Sequence, residues 1–179
     1  GEPDFTAPDQ VIAAAVEALK QHPIHYTSAV GMPLLRHAIS LHYRERYRLE
    51  VPASRIVVTA GASGALLIAA GVLVNPGDEF LMPDPAYPCN RHFVRFFEGE
   101  VNNIPVGPQT QYQLTRELIE ANWSQKTRGV LIASPSNPTG TMIAPAEMRA
   151  IIESVHARGG VAIVDEIYQG LTYASAFES

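Results

Sequence analysis

The chain has 179 residues, of which 46% are hydrophobic and 17% charged, and its formal net charge is −5. This composition excludes a disordered tail, and an acidic chain without a clustered basic face is a poor candidate for binding nucleic acid. The longest apolar run, residues 65–74, is shorter than the about 20 residues of a membrane span, and Cys89 is the single cysteine, so we expect no membrane partner, no disulfide within the chain and a cytoplasmic location.

The first fifty residues predict helices without a strand. Two amphipathic segments, residues 8–21 and 33–48, carry apolar side chains at helical spacing, and the irregular segment 25–31 joins them. We therefore distinguish an N-terminal helical segment, residues 1–50, from the remainder of the chain, residues 51–179.

Residues 51–179 alternate short β-branched runs with longer stretches of helical spacing. This alternation predicts the α/β class, as a three-layer αβα arrangement in which helices cover both faces of a mainly parallel sheet. The predicted strands are residues 56–59, 79–82, 101–105, 129–133 and 161–165. The predicted helices are residues 62–74, 87–97, 114–121 and 145–158. Asp78 and Glu79 are interpreted as a solvated turn that enters a strand.

The segments that follow the predicted strands are the first candidates for a ligand site, because open parallel sheets bind ligands beyond the carboxyl ends of their strands. The small residues Gly61 to Gly64 lie between a strand and an apolar helix, where free N–H groups suit a phosphate. A plain strand-to-helix turn explains this segment equally well. The complete G-x-G-x-x-G pattern and a Walker A motif are absent, so the sequence favours one phosphate over a dinucleotide.

Four further side chains at these strand ends carry useful chemistry. Asp165 could pair with a cation or a protonated ring nitrogen, although a helix cap or a metal ligand is also consistent with a lone carboxylate. The Asn137 amide, in a proline-rich loop, could recognise a phenolate-type oxygen or a carboxylate, or could belong to a structural turn with a cis Asn137–Pro138 peptide. Tyr87 and Tyr168 could offer a ring face and a phenol, or could simply be core residues.

Together these groups describe a site for pyridoxal phosphate, and the sequence resembles the class I/II aminotransferases, which are fold-type I enzymes, over nearly its whole length. Residues 26–36 are similar to the family segment Y-x-x-x-x-G-x-P-x-L-R. Residues 137–140 match the family motif N-P-T-G, and residues 165–168 match D-E-I-Y. The resemblance implies transamination between an amino acid and a 2-oxo acid, in cytoplasmic amino-acid biosynthesis.

The resemblance also implies a role for each matching residue. The cofactor contacts would be made by Ala62 and Ser63 to the phosphate, Tyr87 to the ring face, Asn137 and Tyr168 to the ring hydroxyl, and Asp165 to the ring nitrogen. In a homodimer, Tyr26 would reach the phosphate in the neighbouring subunit. Gly1 and Asn137 would lie beside the substrate.

The family's catalytic lysine follows the D-E-I-Y motif in a Ser-x-x-Lys-like segment that this sequence does not contain. Lys20 and Lys126 do not match its position. We therefore expect residues 51–179 to be an incomplete large domain, without the lysine segment and the small domain, and the chain to be inactive alone. A carbon–sulfur or ring-forming lyase of the same fold, or an aminotransferase-like domain of a transcription regulator, remains an alternative. His37 and His42 do not share a helix face, so no metal site is expected.

Overall fold

The computed structural model describes residues 4–173. Its helices are α1 (Asp9–Gln21), α2 (Pro33–Tyr47), α3 (Gly61–Leu73), α4 (Asn90–Phe96), α5 (Arg116–Asn122) and α6 (Pro145–Ala157). Its strands are β1 (Glu79–Asp84), β2 (Glu100–Pro105), β3 (Thr127–Ala133) and β4 (Val161–Asp165). Short 3₁₀ turns occupy Ala53–Arg55 and Pro108–Thr110. Among the described helices, none has the length and apolarity that a membrane span requires.

The four strands form one parallel sheet in the order β2–β1–β3–β4. A helix lies in each connection between consecutive strands, as parallel pairing requires. Because all strands point the same way, their carboxyl ends meet at one edge of the sheet. The predicted α/β class and the four predicted strands within residues 79–165 are confirmed.

Side chains that alternate along the strands build two cores. Leu81, Val130 and Ile132 pack on one face of the sheet with residues of α5 and α6. Phe80, Met82 and Leu131 pack on the other face with residues of α3 and α4. Each fully buried side chain of this kind stabilises the fold by about 2 kcal/mol. The helices on both faces confirm the predicted three-layer arrangement.

Gly129 lets β3 approach its neighbours closely. A Cβ atom at this position would collide with the carbonyl oxygen of Val161 in β4 and would lie 2.8 Å from the ring of Phe80 in β1. β3, one of the two inner strands of the sheet, therefore requires the absence of a side chain at this point.

One strand and the start of one helix were predicted wrongly from the sequence. Residues 56–59 belong to no strand of the sheet, and the Val58 N–H donates instead to the carbonyl of Val30, at 3.1 Å, in the loop before α2. The helix expected from residue 87 begins at Asn90, after a turn in which the Asn90 N–H donates to the Tyr87 carbonyl at 3.1 Å. Pro88 lies inside this turn and has no N–H to donate.

The interpretation of Asp78 as a solvated turn residue is also wrong. Its side chain is buried, and its carboxylate accepts hydrogen bonds from the Asn75 N–H at 2.9 Å and the Asn75 amide at 3.0 Å. The guanidinium of Arg128 completes the pairing, with 3.1 Å between Nε and Oδ1. This acid closes the turn at the amino end of β1, far along the strand from the ligand edge.

The N-terminal segment is attached through α2. Arg36 donates to the carbonyls of Ile56 at 2.8 Å and Ala53 at 2.5 Å, and the Ser40 hydroxyl donates to the carbonyl of Val51 at 2.5 Å. The apolar side of α1 is exposed in the described chain. The division at residue 50 and the packing of the whole segment on a large domain stay predictions.

Candidate functional site

A cavity of about 240 Å³ lies where β3 and β4 end, opposite the first turn of α3. Six residues that the sequence singled out line it together: Ala62, Ser63, Tyr87, Asn137, Asp165 and Tyr168. The parallel sheet explains this convergence, because the segments that follow β1, β3 and β4 emerge at the same edge. The structure thus brings these six residues into one site, while their individual roles stay predictions.

The first turn of α3 provides a place for an anion. No side chain caps this helix end within the described residues, and Gly61 opens it with a φ of +72°. The first N–H groups of a helix lack intrahelical acceptors and carry its positive partial charge. Ala62 and Ser63 therefore present N–H groups, with the Ser63 hydroxyl beside them, at the cavity wall.

Asp165 is held by the end of the sheet. Its backbone is in register with Ala133, and its carbonyl accepts a hydrogen bond from the Ser134 N–H at 3.0 Å. One carboxylate oxygen, Oδ1, accepts from the Ile167 N–H at 3.0 Å, which fixes the orientation of the side chain. Within residues 4–173, no group of three or more His, Cys, Asp and Glu side chains is placed to hold a metal ion.

Tyr87 offers the cavity a neutral aromatic ring. A hydrogen bond and charge interaction with Cys89 raise the pKa of the Tyr87 phenol above its usual value of 10.0, and burial and Tyr168 act in the same direction. The phenol therefore stays protonated at neutral pH. The sequence did not predict Cys89 as a neighbour of the site. The signal was its position two residues after Tyr87 with Pro88 between them, because a tight turn at the proline brings the two side chains together.

Asn137 lies in a loop that is closed by its own hydrogen bonds. The Ser136 N–H donates to the Thr141 carbonyl at 2.9 Å, and the Gly140 N–H donates to the Ser136 carbonyl at 2.8 Å. The Asn137–Pro138 peptide is cis, as the sequence suggested. A wider cleft of about 770 Å³ adjoins the smaller cavity and shares Asn137 and Tyr168 with it. Asn137 therefore lines both the smaller cavity and the wider cleft.

Leu66 was also missed by the sequence analysis, and it forms part of the apolar wall of the smaller cavity. It lies four residues after Ala62 on α3, so helical spacing places the two side chains on the same face. That spacing was a usable signal.

Several predicted residues lie away from this cavity. Tyr26 is fully exposed and lines neither space within the described chain, and Gly1 lies outside the described residues. Lys20 is in the last turn of α1. Lys126 precedes β3, at the opposite end of the sheet, where it pairs with Glu100 at 3.3 Å.

Comparison with known proteins identifies the family. Residues 1–179 match the model of the family described as aminotransferase class I and II. The chain belongs to this family. A valine–pyruvate aminotransferase of Mycobacterium tuberculosis is 41% identical to this chain over 98% of the chain and 45% of that protein. A probable aspartate/prephenate aminotransferase of Aquifex aeolicus is 34% identical over 98% of the chain and 45% of that protein.

Solved aminotransferase structures share the fold. A crystal structure of an aminotransferase from M. tuberculosis superposes with a TM-score of 0.94 and 40% identity, over 100% of this chain and 46% of the other. The aspartate aminotransferase of Thermus thermophilus with maleate gives a TM-score of 0.95 and 30% identity, over 100% of this chain and 47% of the other. The chain thus spans less than half the length of these class I aminotransferases.

Aminotransferases of this class depend on pyridoxal 5′-phosphate, and the groups around the smaller cavity fit that cofactor. An uncapped helix end suits its phosphate, a neutral phenol ring suits its ring face, and an amide suits its ring oxygen. A carboxylate suits a protonated ring nitrogen. The fit rests on the chemistry of the side chains present.

Proposed function

We propose that the whole protein transfers amino groups between an amino acid and a 2-oxo acid, and that this chain supplies its cofactor-binding large domain. The observation that carries the proposal is the convergence of six side chains with complementary chemistry on one cavity at the carboxyl edge of the sheet. The aminotransferase names of the relatives support transamination. Cytoplasmic amino-acid biosynthesis is part of the same proposal for the whole protein.

Each lining residue has a proposed task. Ala62 and Ser63 bind the phosphate through the positive end of α3. Tyr87 packs on the ring face, and Asn137 and Tyr168 donate hydrogen bonds to the ring oxygen. When bound, pyridoxal phosphate supplies an electron sink for the bonds of the substrate Cα.

Asp165 has the most direct chemical task in this proposal. Its carboxylate, oriented by the Ile167 N–H, stabilises a proton on the ring nitrogen, because an opposite charge at short range favours the protonated form. Removing that carboxylate leaves the ring nitrogen without its charge partner. The electron-withdrawing power of the cofactor then falls.

Two further features are proposed for the whole protein. Its catalytic lysine comes from outside residues 4–173, because neither Lys20 nor Lys126 lines the cavity that contains Asp165. The protein is a homodimer in which Tyr26 contacts the phosphate of the neighbouring site, which agrees with its full exposure in this chain. Gly1 and Asn137 are proposed to lie beside the substrate, and the position of Asn137 between the two cavities supports its share of that task.

The test is an amino-donor screen of the full-length protein, with Asp165→Asn and Asp84→Asn as matched variants. Asp84 is also an aspartate at the carboxyl end of a strand, but it is exposed and does not line the cavity. We expect Asp165→Asn to lower transamination on the order of 100-fold, because the ring nitrogen loses the carboxylate that favours its protonated form, and Asp84→Asn to leave it unchanged. Equal rates for both variants contradict the role of Asp165.

The same screen separates transamination from lyase chemistry. A transaminase produces a new amino acid from the added 2-oxo acid and releases no ammonia. Steady release of ammonia and a 2-oxo acid from a single substrate identifies a lyase instead. We expect the first outcome for at least one donor, and a valine or aspartate donor is the natural starting point because relatives bear those names.

A further inference from the structure

Gln113 is a buried polar residue between the 3₁₀ turn Pro108–Thr110 and α5, and it lines neither cavity in the described chain. We propose that Gln113 is a positioning residue that fixes the loop of residues 134–141, here named the Asn137 loop, against the end of β3. The inference rests on the proposed function, because that function gives Asn137 its contact with the cofactor.

The amide of Gln113 joins both ends of the Asn137 loop. Its Nε2 donates to the carbonyl of Ala133 at 3.2 Å and to the carbonyl of Thr141 at 2.9 Å, and it lies 3.4 Å from the Thr141 hydroxyl. Ala133 is the last residue of β3, and Thr141 is the last residue of the loop. One side chain from a distant segment therefore bridges the two points between which Asn137 is suspended.

The Thr141 carbonyl connects Gln113 to Ser136, the residue before Asn137. The same oxygen accepts from Gln113 and from the Ser136 N–H, at 2.9 Å in each case. Ser136 directly precedes Asn137. A displacement of Thr141 therefore moves the backbone that aims the Asn137 amide, without any direct contact between Gln113 and the cavity.

The backbone before Gln113 holds its side chain inward. Gln111 and Tyr112 both have positive φ angles, 53° and 56°, which are uncommon for residues with a side chain. The Tyr112 N–H donates to the Gly107 carbonyl at 2.8 Å, and the Gln113 N–H donates to the Thr110 carbonyl at 3.0 Å. Leu114, the next residue, is fully buried in the core. This strained turn, anchored on both sides, directs the glutamine into the protein.

The side-chain oxygen of Gln113 suggests which substitution can test this role. Gln113 Oε1 is buried and has no hydrogen-bond partner among the described residues. Methionine has a similar length, so it keeps the core filled, and it removes this orphan acceptor together with the donor. The Thr141 carbonyl keeps the Ser136 N–H as a partner, whereas the Ala133 carbonyl loses the Gln113 donor, which lowers the stability of the variant. Gln113→Met therefore releases the loop while the core stays filled.

The experiment compares Gln113→Met with Gln109→Met in the full-length protein. Gln109 is an exposed glutamine four residues earlier, so it controls for the chemical change. In the apo protein we expect the amides of Ser136 and Gly140 to exchange with solvent about tenfold faster in Gln113→Met alone, with the strand amides of β1 unchanged. We expect the dissociation constant of pyridoxal phosphate to rise about fivefold to tenfold, as for the loss of one or two hydrogen bonds.

The outcomes separate this inference from the proposed function. Unchanged exchange at Ser136 and Gly140 overturns the positioning role, and so does faster exchange that extends to the β1 amides, which indicates general destabilisation. Faster loop exchange with unaltered cofactor affinity overturns the link to Asn137. If the wild-type protein does not bind pyridoxal phosphate, the proposed function fails, while the exchange data still decide whether Gln113 holds the loop. Should Gln113→Met not fold, Gln113→Asn, whose shorter amide cannot span the same distances, is judged by the same results.

Discussion

Tyr87 brings a ring rather than a reactive hydroxyl to the cavity. The phenol is neutral at neutral pH, and Cys89, burial and Tyr168 raise its pKa further from its usual value of 10.0. We expect Tyr87→Phe to keep the affinity of the full-length protein for pyridoxal phosphate within about twofold. Tyr87→Ala should weaken it about tenfold, since an aromatic pair contributes up to about 1.5 kcal/mol beyond its buried area.

Equilibrium titration followed by protein fluorescence measures both Tyr87 variants. Asp84→Asn provides the control for a change at a neighbouring strand end that does not reach the cavity. If alanine binds the cofactor as tightly as tyrosine does, the stacking role of Tyr87 is wrong.

Asp78 links the stability of the fold to pH. Its pKa is lowered from 3.8, first by the backbone N–H of Asn75 and also by the Asn75 amide and Arg128, although burial opposes them. A carboxyl group whose pKa is lower in the folded state stabilises the fold above its unfolded pKa, and this contribution is lost as the pH falls through the folded pKa. We expect Asp78→Asn to cost about 2 kcal/mol at neutral pH, because the lost hydrogen bonds involve a charged group.

Urea unfolding at neutral and acidic pH measures the effect of Asp78→Asn. The difference between wild type and variant should shrink in acid, where the wild-type carboxyl is itself protonated. The exposed Asp84→Asn should show neither effect. A difference that is independent of pH would show that the charge of Asp78 does not stabilise the turn.

At the scale of single elements, we expect opposite changes in stability when alanine replaces a glycine in β3 and a glycine in α3. Gly129→Ala in β3 should destabilise the fold by about 2 to 3 kcal/mol, since the new Cβ collides with the Val161 carbonyl and crowds the Phe80 ring. Gly64→Ala in α3 should stabilise it by up to about 1 kcal/mol, because the Cβ would lie 3.5 Å from Thr59, an ordinary contact, and alanine favours helix.

Thermal unfolding of the two glycine variants, measured side by side, provides the comparison. Each variant is the control for the other, because both add one methyl group. Similar melting temperatures for Gly129→Ala and the wild type would mean that β3 and β4 can separate at little cost, contrary to the packing described.

The elements also show what the sequence can predict. Strands β1 to β4 were recognisable because each combines a short apolar run with a following turn or helix. Residues 56–59 have the same apolar character, but the Val58 N–H donates to the Val30 carbonyl in a loop, and only the tertiary structure decides between a loop and a sheet partner. The start of α4 was predicted too early because propensity outweighed the turn at Pro88.

The residues in and around the site also differ in whether the sequence predicts them. Six cavity residues were predictable because strand ends and short motifs carry them, and parallel strands bring such ends together. Gln113 was not predictable, since it contacts Ala133 and Thr141, which are 20 and 28 positions away, and no motif contains it. A buried glutamine with an unpaired oxygen becomes visible only in three dimensions.

At the scale of the whole molecule, the position of the lysines predicts what this chain does alone. Lys20, on α1, and Lys126, which pairs with Glu100 at the far end of the sheet, do not line the cavity that contains Asp165. We expect the isolated chain, treated with pyridoxal phosphate and then borohydride, to gain no specific covalent mass, whereas the full-length protein gains one cofactor per subunit. Intact mass spectrometry decides this, and specific labelling of Lys126 would contradict the proposed origin of the catalytic lysine.

The most direct test of the account is a titration of the purified full-length protein with pyridoxal phosphate, followed by visible absorption. The convergence of Ser63, Asp165 and Asn137 on one cavity predicts a saturable spectral change at one cofactor per chain, and a further change when an amino donor is added. Absence of any saturable change would contradict the assignment of this cavity to the cofactor.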